Sequence, residues 1–94
     1  MQSDQFVSAV RCAAYDSLPA FAGARADIGA VRLHLNAEAL RQSPETETAA
    51  LRAVDEVVAQ AKADDAAALR QARDAACSQN AGMIAAEPAR GREA

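Results

Sequence analysis

The chain has 94 residues, 51% hydrophobic and 24% charged, with ten Lys and Arg against thirteen Asp and Glu for a net charge of −3. That balance, with the signs interspersed and only two Phe, one Tyr and no Trp, argues against a nucleic-acid partner, which needs a basic surface for phosphates or aromatic platforms for bases. Apolar runs of three or four residues fall far short of the roughly 20 needed to cross a bilayer, so no membrane role is expected.

Ser3 reads as the N-cap of a first helix. Asp4 complements the helix dipole in the first turn, and Phe6, Val10 and Ala13 or Ala14 recur at helical spacing as far as Asp16. "DSLPAFAGARA" is a connector: Pro19 disfavours helical geometry at Leu18, a short helical turn fits 19–24, and Leu18 and Phe21 are placed to plug the end of a bundle.

Asp27 is the expected cap of a second helix running to about Gln42, with Ile28, Val31 and Leu35 on one stripe and Leu33, Ala37 and Leu40 on its neighbour. "SPETE" then opens a third helix, with Ser43 as cap and Pro44 at the first helical position, and Leu51, Val54, Val58 and Ala61 continue as its apolar stripe.

Two courses are open beyond Lys62. Propensity favours one unbroken helix to Asn80, a rod of about 50 Å. A reversal at Asp64-Asp65, with Asp64 capping a fourth helix, brings Cys77 back to about the height of Cys12, so that neighbouring first and fourth helices can reach the ~5.5 Å Cα separation a disulfide prefers. The rod can form the same bond only as an open molecule that dimerises. The expected fold is therefore all-α: a small up-down bundle of three to four helices over residues 1–80, closed by a Cys12–Cys77 disulfide. Residues 81–94, with the apolar tetrad Met83 to Ala86 and a Pro/Gly/Arg end, form a partly mobile tail.

The cysteines bear on compartment as well as fold. A thin, alanine-rich core at this length has little stability to spare, so a staple closing about 65 residues has a clear physical motive, worth about 4 kcal/mol. Two widely separated cysteines fit an exported, oxidised chain, periplasmic or secreted, whose leader has been removed; a cytoplasmic location is the alternative. Neither cysteine stands in a Cys-x-x-Cys motif or at a helix N-terminus, where a thiol is activated.

Little else points to catalysis. His34, the one histidine, has Glu38 one turn on, a pair that reads as a surface hydrogen bond, since a specific zinc or copper site needs three or four ligands. No phosphate loop or nucleophile elbow is present, so an enzyme is not expected. In the compact bundle Asp16, Asp27, Asp64 and Asp65 gather at one pole, where four carboxylates suit a hard cation such as calcium or a lanthanide, alone or at a dimer interface.

Three functional expectations follow. The first is a small periplasmic, non-enzymatic accessory or binding protein that acts on a protein partner, or on a second copy of itself, through a helical face. A chaperone of this kind would expose apolar surface below about pH 4, as its carboxylates lose charge. The second is a periplasmic metal-binding chaperone or carrier using the aspartate pole. The third is a cytosolic helical interaction module.

Overall fold

The computed structural model describes residues 1–78, and the described residues are helical without a strand. The expected tail at 81–94 and the last two residues of the expected 1–80 domain lie outside them. Helix α1 spans Ser3–Asp16, α2 Ile28–Ala39 and α3 Pro44–Ala63, and α4 is described over 66–78.

Contacts between helices set their directions. Arg11 reaches Glu56 and Tyr15 donates to Gln60, so α1 and α3 run the same way. The Met1 ammonium meets Glu38 at 2.9 Å, which makes α2 antiparallel to α1. Arg73 meets Asp16 and Cys77 meets Cys12, which makes α4 antiparallel to α1 as well. The result is the expected up-down-up-down bundle, with α1 at its centre.

The helix ends follow local hydrogen bonding. Helix α1 is capped one residue earlier than expected: Gln2 holds the extended cap position, its N–H donating to the Gln5 side chain at 3.0 Å, and Ser3 is already helical. Asp27 holds the cap position of α2, yet its carboxylate turns back to Arg25 Nε at 2.7 Å and caps nothing. That hydrogen bond lowers the Asp27 pKa. Helix α2 stops at Ala39, short of Gln42, because the amides of Leu40, Arg41 and Gln42 bond three residues back and tighten the last turn.

Ser43 Oγ accepts the Thr46 N–H at 3.2 Å and Pro44 opens α3. The unbroken rod does not form, because α3 ends where Asp64 takes extended backbone. The cap of α4 is Asp65, one residue later than expected, whose Oδ1 accepts the Ala68 N–H at 2.8 Å. The connector carries a 3₁₀ turn at Pro19–Phe21, and Gly23 takes φ 81°, a left-handed conformation that favours glycine.

Two apolar clusters flank α1. Phe6, Ala9 and Ala13 pack with Val31 and Leu35 of α2 and Ala50 of α3. Tyr15 packs with Val57 of α3 and with Leu69 and Ala76 of α4, and Leu18 and Phe21 close that end as expected. Burial pushes the Tyr15 phenol pKa up.

The buried face of α3 is not the expected one. Ala50, Ala53 and Val57 face inward, whereas Leu51 is 68% exposed and Val58 is also exposed. Alanines let α3 lie close on α1, since interaxial distance depends on the side chains at the contact. Only one of the two α2 stripes is covered: Val31 and Leu35 are buried, while Leu33 and Leu40 are 71% and 87% exposed.

Candidate functional site

Among the described residues, one side of α1 is left open. Helices α2 and α3 each pack mainly on α1 rather than on each other, so a groove runs between them with α1 as its floor. Its upper part, about 390 Å³, is lined by Val10, Ala14, Leu35 and Val54, with Val58 at the edge and Arg32 and Ser17 as polar groups. Its lower part, about 410 Å³, shares Val10, Leu35, Asn36 and Val54 and adds Leu51, with Glu47 on the α3 wall.

Helical geometry explains the lining. At 100° per residue, Val54, Leu51 and Val58 fall on the flank of α3 next to its buried Ala50–Val57 face, and Arg32, Asn36 and Ala39 fall on the matching flank of α2, with Leu33 and Leu40 on its far side. On α3, Leu51, Val54 and Val58 therefore border the groove, while Ala50 and Ala53 are buried on the inward face.

The opposite side of α1 carries the cystine. Cys12 and Cys77 are joined, with Cα atoms 4.8 Å apart across 65 residues, and Cys12 is buried. Asp16, one turn beyond Cys12, has a side chain only 1% exposed. Its Oδ1 accepts from Arg73 Nε at 2.8 Å, and Arg25 stands 4.0 Å from its Oδ2. Otherwise Oδ2 faces sulfur, with Cys12 Sγ at 3.7 Å and Cys77 Sγ at 3.8 Å. A cystine has no S–H to donate, so this buried oxygen lies beside two atoms that give it no hydrogen bond.

Arg73 is held from both sides. Its guanidinium carbon lies 5.8 Å from the centre of the Phe21 ring, and the Asp16 hydrogen bond raises its pKa. Arg73 carries no motif, but its place follows from the cystine. In an antiparallel pair joined at positions 12 and 77, the residue four after Cys12 faces the residue four before Cys77. The spacing Cys-x-x-x-Asp against Arg-x-x-x-Cys is the signal in the sequence.

The four aspartates of the expected cation pole do not form one ligand set. Asp16 is engaged by Arg73, Asp27 by Arg25, and Asp65 by the α4 amide it caps, while Asp64 lies exposed at the bend. Among the described residues, the ligand-type side chains that do come together are Cys12, Asp16 and Cys77, with ligand atoms within 4.8 Å of one another.

The expected His34–Glu38 pair is also replaced. Glu38 is buried and its carboxylate takes the Met1 ammonium at 2.9 Å and the Gln42 amide at 3.2 Å, and the ammonium's hydrogen bond lowers the Glu38 pKa. No helix among the described residues is long and apolar enough to cross a membrane. No family model matches this chain, and neither a curated protein nor a solved structure matches it.

Proposed function

We propose that this chain is a non-enzymatic binding protein of an oxidising compartment, periplasmic or extracellular, and that it takes an amphipathic helix of a protein partner into the groove over α1. The observation that carries this reading is the placement of apolar side chains on α3: Leu51 and Val58 face out beside the groove while alanines face the core. Leaving a leucine and a valine in water forgoes about 1.5–3 kcal/mol each, a cost that a partner's apolar stripe removes.

The groove's form selects a helix as occupant. Helices α2, α3 and α4 take three sides of α1, and a fourth helix fits the open side as another ridge between two walls. Arg32 on the α2 wall favours a carboxylate on the flank of that helix, and Glu47 on the α3 wall favours a cation on the other. The compartment reading rests on the cystine, which persists where thiols are not kept reduced. Alkylation in intact host cells checks it: both cysteines should resist modification until reductant is added, and immediate labelling of both contradicts it.

Fluorescence anisotropy of a labelled four-turn Leu/Ala helix, bearing Glu on one flank and Lys on the other, tests the groove. Saturable binding is expected, weakened at least about tenfold, or about 1.4 kcal/mol, by Leu51→Glu with Val58→Glu and left unchanged by Arg70→Glu on α4. Absence of binding, or equal binding by the groove variant, overturns the reading. Sedimentation of the same proteins distinguishes the occupant: a dimer that the groove variant dissociates would replace the partner helix with a second copy of the chain.

A further inference from the structure

The cystine corner is independent of the groove, and its buried carboxylate oxygen has no role in a simple staple. Oδ2 of Asp16 is aimed at the two sulfurs and receives nothing from them while they are bonded to each other. Breaking the S–S bond changes what these three atoms are, turning an inert cystine and an under-bonded carboxylate into two thiols and a carboxylate on two rigid helices.

We propose that reduction of the Cys12–Cys77 bond converts this corner into a binding site for a thiophilic divalent cation, with zinc the ion it fits, held by both sulfurs and one oxygen of Asp16. In tetrahedral zinc sites with Zn–S about 2.3 Å and Zn–O about 2.0 Å, a sulfur and an oxygen ligand stand about 3.5 Å apart and two sulfurs about 3.8 Å. The carboxylate oxygen already stands 3.7 and 3.8 Å from the sulfurs. Freed sulfurs have only to part from bonding distance to ligand spacing, a movement that side-chain rotation on α1 and α4 supplies.

Charge and support agree with the geometry. Two thiolates, one carboxylate, a divalent ion and the Arg73 guanidinium sum to neutrality, while Arg25 is taken up by Asp27 at 2.7 Å. Arg73 keeps its 2.8 Å hydrogen bond to Oδ1 and so orients the ligating carboxylate, as outer-shell groups do in metal sites. With three protein ligands, the fourth position is left to water.

The chemistry balances with a named reductant. A dithiol gives two electrons and two protons to the disulfide and becomes a cyclic disulfide; a phosphine gives the electrons, becomes its oxide and takes the oxygen from water, whose protons complete the thiols. Zinc then forms two Zn–S bonds and releases both thiol protons to solvent. Reoxidation of the sulfurs to cystine by a small-molecule disulfide, which takes two electrons from them and two protons from solvent and is cleaved to two thiols, removes two of the three ligands and expels the ion, so the site is open only to the reduced chain.

The test uses the full chain reduced by a water-soluble phosphine under anaerobic conditions and titrated with cobalt(II), then zinc. One cobalt per chain is expected, with thiolate charge-transfer absorption and the visible bands of a tetrahedral ion, displaced by one zinc, and no such bands from the oxidised chain. Asp16→Asn should weaken zinc by about tenfold or more, whereas Asp64→Asn at the bend should leave it unchanged. Circular dichroism of the reduced chain accompanies each titration. Helical reduced protein without the bands overturns the proposal; so does equal affinity in Asp16→Asn, or an unfolded reduced chain that zinc does not restore to helix.

Discussion

Asp16 and Arg73 illustrate how one buried charge constrains its surroundings. A carboxylate with 1% exposure is tolerable only while its partner remains, because an unpaired charge in a low-dielectric interior keeps its full desolvation cost. Arg73→Ala should therefore lower stability by about 2–3 kcal/mol, the range for a charged hydrogen bond lost from a partly shielded pair, read from the urea midpoint at constant slope. A loss below about 0.5 kcal/mol would mean that Arg25 or water takes over. Asp16 was legible from the sequence as a candidate ligand, and Arg73 becomes legible as its partner only once the Cys12–Cys77 bond sets α4 antiparallel to α1 and faces position 73 to position 16. The same limit applies to Glu38, whose partner is an ammonium 37 residues away rather than the histidine one turn before it.

At the scale of elements, the signals that worked were those in which a few consecutive residues satisfy one another. Ser43 and Pro44 start α3 because a hydroxyl three residues upstream meets an orphan amide and proline lacks the amide it would waste. Asp64 and Asp65 offer the same chemistry one position apart, so composition cannot choose between them, whereas the backbone places Asp65 Oδ1 on the Ala68 amide. Asp65→Ala should cost about 1 kcal/mol and Asp64→Ala no more than about 0.5, compared by chemical denaturation. The reverse order would place the cap at Asp64. The apolar stripes were harder to assign, since Leu51, Val54 and Val58 keep helical spacing as faithfully as Ala50, Ala53 and Val57. Size would rank the first set as core; close packing on α1 buries the second.

For the whole molecule, the cystine ties the C-terminal half of α1 to the last described turn of α4 across 65 residues. On the chain-entropy account, a loop of that length is worth about 4 kcal/mol, a large share of the 5–15 kcal/mol typical of a domain. The Cys12→Ser, Cys77→Ser double variant should lose about that much, measured by urea unfolding against the oxidised chain; a loss under about 1 kcal/mol would show that packing of Leu69 and Ala76 on Tyr15 and Val57 suffices to seat α4. The groove belongs to this scale too, because among the described residues no helix covers that side of α1.

By itself the sequence determined the all-helical class, the break after Asp16 at Pro19 and the start of α3, and it favoured the reversal near Asp64-Asp65 and the cysteine pairing that the structure then decided. Each of these depends on helix propensity, on local capping chemistry, on proline, or on a length argument that favours one of two courses. Only the tertiary structure decided which face of α3 is buried, which arginine holds Asp16, and that Asp16, Asp27, Asp64 and Asp65 stay apart while Cys12, Asp16 and Cys77 come together. Those outcomes turn on the rotation of each helix about its own axis. Helical spacing leaves that rotation free, and packing against α1 sets it.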